Sequence, residues 1–95
     1  MDSSDLLRFY RSLDVSLRLL IRFKLGRVVG RTFEELAERE PWALYPALVK
    51  ALGEHNAEVL LNMLSDWLMK NGERIDVNIL RYRLSRMEAW PKAET

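Results

Sequence analysis

Glu54-His55-Asn56-Ala57-Glu58-Val59-Leu60-Leu61-Asn62-Met63-Leu64-Ser65-Asp66-Trp67-Leu68-Met69-Lys70 is the stretch on which the fold turns. At about 100° per residue, Ala57, Val59, Leu60, Leu61, Met63, Leu64, Trp67 and Leu68 sweep roughly 200° of helix surface, wider than a one-sided surface helix needs. The spacing predicts a central helix with neighbours on several sides and Trp67 in the core. Asn71-Gly72 supplies its left-handed stop.

Working outward, Asp76 is placed to cap a further helix, with Ile75 and Leu80 at the spacing of a hydrophobic staple and Val77, Leu80, Leu84 and Met87 as its buried stripe. Pro91 ends it, leaving 91–95 as a frayed tail. On the other side, Pro41 opens a helix over about 41–52 that buries Tyr45, Leu48, Val49 and Leu52 and stops at Gly53; Pro46 either kinks it or starts it. Thr32-Phe33-Glu34-Glu35 fits a capping box for a short helix running to about Arg39. Residues 5–25 repeat Leu6, Phe9, Tyr10, Leu13, Leu17, Leu20 and Ile21 at helical spacing, which predicts one amphipathic helix about 30 Å long, capped by Ser3 or Ser4 and ended by Gly26 and Gly30. No segment alternates long enough to read as a strand, and there is no internal repeat. The expectation is an all-α fold: a single domain over 1–95, a compact bundle of four to five helices with short Gly/Pro turns.

Composition agrees with one foldable unit. The 95 residues are 48% hydrophobic and 31% charged, the balance of a globular chain. The amino-terminal residues are acidic where a secretory signal needs cations, and no apolar run approaches a membrane span, so a soluble cytoplasmic protein is expected. Arg outnumbers Lys 11 to 4 and Gln is absent, a composition that leans toward a thermophile.

The formal charge of +1 conceals segregation. Residues 1–31 hold seven basic and three acidic residues, and 32–60 hold two basic and six acidic. On the long first helix, Arg8, Arg11, Arg18 and Arg22 fall within roughly 80° of arc opposite the apolar face, and Val15 and Leu19 interrupt them. Arg81, Arg83 and Arg86 make a secondary basic cluster. A stripe of guanidinium groups suits a phosphate backbone, but aliphatic groups among them suit a protein interface better. A sequence pI near 8.1 is also below that of dedicated nucleic-acid modules. The first helix has the charge of a membrane-surface helix, yet its apolar side is needed for the core, so no membrane contact is expected.

Little in the chain can carry chemistry. Cys is absent and His55 is the sole histidine, so neither thiolate nor multi-histidine metal sites can form. His55 lies between Glu54 and Glu58 in the order His-x-x-Glu, once only, which suits local helix capping by His55 or Asn56. No Gly-x-Ser-x-Gly elbow surrounds a serine, and Gly26-Arg27-Val28-Val29-Gly30-Arg31 lacks the Lys-Ser/Thr of a phosphate loop. No cofactor and no metal site is expected. Trp42 and Trp90 sit at helix ends, where an indole closes a bundle or anchors a partner.

The segment 33–70 resembles a small all-helical archaeal family of presumed output or regulatory domains. The residues that carry the resemblance are Glu38-Arg39-Glu40-Pro41, Ala47-Leu48-Val49-Lys50-Ala51-Leu52-Gly53 and Ala57-Glu58-Val59-Leu60-Leu61; the family's Gly-x-Gly-Ala at the second turn is Glu54-His55-Asn56-Ala57 here. The resemblance implies an archaeal origin and a binding or regulatory role, and it brings no catalytic residues. The expected function is therefore a non-enzymatic protein–protein interaction or regulatory module, self-associating as a homo-oligomer or binding another protein through Arg8, Arg11, Val15, Arg18, Leu19 and Arg22. The alternative is a nucleic-acid-binding accessory protein that uses the same arginines.

Overall fold

A computed structural model describes residues 1–91; the remainder of the expected tail, 92–95, lies outside the described residues. Among the described residues the chain runs as α1 (Ser3–Ser12), α2 (Val15–Val28), α3 (Phe33–Arg39), a 3-10 turn (Pro41–Ala43), α4 (Leu44–Leu52), α5 (Glu54–Lys70), α6 (Val77–Arg83) and a second 3-10 turn (Met87–Ala89), with no strand. The all-helical class is as expected. Among the described residues the helices number six, against the four or five read from periodicity.

The extra helix arises because the expected long first helix is two. Leu13 leaves the helical region at ψ 152°, and the Asp14 carboxylate accepts the Ser16 amide to cap a new helix. The corner is tied by further bonds: Ser12 Oγ donates to the Phe9 carbonyl at 2.6 Å, Arg18 Nε to the Leu13 carbonyl at 3.2 Å, and the Tyr10 hydroxyl to the Arg18 carbonyl at 3.1 Å. Asp2, and neither Ser3 nor Ser4, caps α1 through a reciprocal capping box with Asp5. Gly26 lies inside α2, with open space where a Cβ would stand, and the helix ends before Gly30 at φ 76°.

Other local signals act as read. Thr32 and Glu35 form their capping box at 3.1 Å and 3.0 Å, and Asp76 caps α6. At the end of α5, Gly72 takes φ 89° and the Glu73 and Gly72 amides donate back to the Leu68 and Met69 carbonyls at 2.8 and 3.1 Å, a Schellman stop. Pro46 causes no kink, because α4 starts at Leu44 and proline in a first turn removes no helical hydrogen bond. The Tyr45 amide instead donates to the Leu84 carbonyl at 2.9 Å. The expected last helix stops at Arg83; Met87, placed in its buried stripe, is exposed in the following 3-10 turn.

The core runs through all six helices, from Leu6 and Phe9 to Ile21, Leu25, Leu36, Leu44, Leu48, Leu61, Leu64, Leu68, Leu80 and Leu84. α5 is packed on α4 and α6, as its wide apolar arc requires. Val59 nevertheless faces solvent, and Trp67, expected in the core, is half-buried at its rim, edge-on to Phe9 with the Arg8 guanidinium 5.2 Å from its ring centre. The molecule measures 32 × 31 × 21 Å. The short dimension is about two helix diameters, so a helix that packs inward turns its opposite side to water.

Candidate protein-interaction face

The break at Asp14 gives α2 its own inward side. Leu17, Ile21 and Leu25 point to the bundle, chiefly to α4. A helix with one apolar side would show charge on the other. Here Val15, Leu19, Leu20 and Phe23 stand outside, 56, 59, 46 and 60% exposed. Val15, Leu19 and Phe23 recur at intervals of four and form one ridge along the helix, with Gly26 one turn beyond Phe23. Leu19, Arg22, Phe23, Gly26 and Arg27 line a shallow recess of about 490 Å³, in which the Arg27 guanidinium lies 5.6 Å from the Phe23 ring centre.

Isolated exposed apolar residues are ordinary; here several stand on one helix, three of them in an aligned row. Of the expected site, Val15 and Leu19 belong to this row and Arg22 lies beside it. Leu20, assigned to the core from its spacing, is outside, and Phe23, Gly26 and Arg27 belong to the face although sequence reading did not single them out for it. Their signal was present: Val15, Leu19 and Phe23 repeat on the side of the helix away from Leu17, Ile21 and Leu25.

The arginines expected to join Arg22 do not form one stripe, because α1 and α2 are separate helices. Arg8 is held by Asp5 at 3.7 Å, by Asn71 at 3.4 Å and by the Trp67 ring. Arg18 is half-buried and fastened to the Leu13 carbonyl. Arg11 and Arg22 are exposed. The secondary cluster divides in the same way. Arg81 grips Glu58 with two bonds of 2.7 and 2.5 Å, and the Tyr45 hydroxyl donates to the same carboxylate, which lowers the Glu58 pKa to about 2, with the Arg81 bonds as the main cause. Arg83 donates to the Met1 carbonyl at 2.9 Å and covers the Trp90 ring at 4.5 Å, while the exposed Arg86 pairs with Glu88 at 3.8 Å.

The indoles at the helix ends serve the bundle in part. Trp90 Nε1 donates to the Arg83 carbonyl at 2.6 Å, and Trp90 and Trp42 share a cleft of about 690 Å³ with Pro41, Met87 and Pro91. His55 is exposed at the start of α5, and Asn56 donates to the Leu52 carbonyl at 2.9 Å, closing α4 rather than opening α5. Among the described residues no three His, Asp or Glu side chains converge as metal ligands, and no helix is long and apolar enough to cross a membrane. No protein-family model matches the chain, and neither a curated protein nor a solved structure matches it.

Proposed function

We propose that this chain is a non-enzymatic protein–protein interaction module whose docking face is the outward side of α2. The observation that carries the reading is the aligned, exposed row Val15, Leu19 and Phe23 beside Leu20, on a helix whose other side already packs into the core. A folded domain gains nothing for its own stability from apolar groups left in water. The nucleic-acid reading is the weaker one. Arg8, Arg18, Arg81 and Arg83 are engaged within the molecule, so a phosphate backbone would meet mainly Arg11, Arg22 and Arg27 across an apolar strip.

A photo-reactive residue at position 23, compared in cells with one at the exposed Asn62 of α5, tests the docking face. Protein adducts should form at position 23 and not at position 62. Equal yields at the two positions would remove the reading, and adducts with RNA or DNA from position 11 or 22 would replace it with the nucleic-acid one.

A further inference from the structure

The charges around the α2 face say what kind of protein it fits. Between Val15 and Val28 the helix carries Arg18, Arg22, Lys24 and Arg27 and no acidic residue. In projection along the axis, Val15, Gly26, Leu19 and Phe23 occupy roughly 80°, with Arg22 on one flank and Arg27 on the other. A partner that covers the apolar row is brought against both guanidinium groups. Carboxylates there would pair with them, whereas neutral or basic groups would leave two cations partly desolvated and unpaired.

The length of the row matches a facing helix. From Val15 to Gly26 it runs about 17 Å in a straight line, three turns of a facing helix. At its end Gly26 has nothing within 4 Å of a Cβ position, an opening into which a side chain of a closely approaching helix can enter.

Among the described residues a second copy of this chain offers no matching helix: α1 exposes no large apolar group, and α4 carries no carboxylate. α3 exposes Glu34, Glu35 and Glu38 but no apolar group beside them. α6 exposes Ile79 and Tyr82 but carries Arg81 and Arg83 and no carboxylate. On α5 the exposed Val59 and Met69 are about 15 Å apart along the axis, with Asp66 the one exposed carboxylate between them. Pairing α2 with itself would set cations against cations.

We infer that the α2 face receives an acidic amphipathic helix of a different protein, its apolar side on Val15, Leu19 and Phe23, its carboxylates toward Arg22 and Arg27, and one side chain seated at Gly26. The inference rests on the reading of α2 as a docking face.

The test uses the full chain and a labelled helical peptide of about 18 residues, long enough to hold its helix, with Leu at positions i, i+4, i+7 and i+11 and Glu on both flanks. A second peptide replaces every Glu by Lys. Fluorescence anisotropy should show the Glu peptide binding at least about tenfold more tightly than the Lys peptide. Raising the salt from about 0.15 to about 1 M, which shortens the screening length from about 8 to about 3 Å, should reduce that preference. R22E combined with R27E should invert it, and L19D should abolish binding of both peptides. All three positions are exposed, so the circular dichroism of the variants should match that of the parent chain. Equal binding of both peptides, lost in L19D, would overturn the acidic partner while leaving the docking face. Binding of neither would also overturn it, and the cross-linking at position 23 then decides the face separately. A dimer at about 0.15 M salt that L19D dissociates would assign the face to a second copy, and stronger L19D-sensitive binding to phosphatidylcholine/phosphatidylserine vesicles than to the Glu peptide would assign it to lipid; either result overturns the proposal.

Discussion

Trp67 shows how one side chain can join the interior to the surface. Its indole edge meets Phe9 while its outer side carries the Arg8 guanidinium, so its burial is partial. Replacing a fully buried Trp by Ala costs about 3–5 kcal/mol; for Trp67→Ala, about 2–3 kcal/mol is expected, read from the midpoint of urea denaturation. Gly26 has the opposite sign. Inside α2, at helical backbone angles and with no neighbour to meet a methyl group, Gly26→Ala should stabilise the chain by about 0.5–1 kcal/mol in the same assay while weakening the Glu peptide.

At the scale of elements, the corner between α1 and α2 decides which residues the outward face contains. Asp14→Ala removes the cap that starts α2 and should cost about 1 kcal/mol, measured by chemical denaturation. The capping box at Thr32, the Asp76 cap and the bounds of α5 were all legible in the sequence, because each is written in residues within a few positions of one another. The corner was not. Leu13 and Leu17 keep helical spacing across it, and a break that preserves the apolar period is invisible to periodicity. The same blindness placed Leu20 in the core and joined four arginines into a stripe. Half of the face, Val15 and Leu19, could be read as an interruption among cations. Phe23, Leu20 and Gly26 needed the direction of α2, which the packing of Ile21 and Leu25 on the bundle sets.

For the whole molecule, the bonds from Tyr45 and Arg81 to Glu58 tie α4, α5 and α6 together and contribute to its response to acid. Glu58 has a folded pKa of about 2 against an ordinary 4.5, so its contribution is present above pH 4.5 and is lost as the pH falls toward 2. Asp2 and Glu35, whose pKa values are lowered by their capping-box bonds, lose stability in the same direction. The melting temperature should therefore fall between about pH 5 and pH 2, and Glu58→Gln should lower the neutral value and flatten part of that slope. Because Glu58 and Arg81 are about one-third exposed, the neutral-pH cost of the substitution is about 1 kcal/mol after screening by solvent.

The cations on the flanks of the α2 row also bear on colloidal behaviour. At low ionic strength Arg22 and Arg27 on two copies repel one another and keep the bare apolar rows apart; added salt removes the repulsion and leaves the attraction. Static light scattering on concentrated protein should accordingly give an apparent mass that rises with sodium chloride, opposite to what ion-paired oligomers do, and Phe23→Asp should suppress the rise. The pure protein is then best kept dilute in salt, and its solubility becomes a readout of whether that strip is covered.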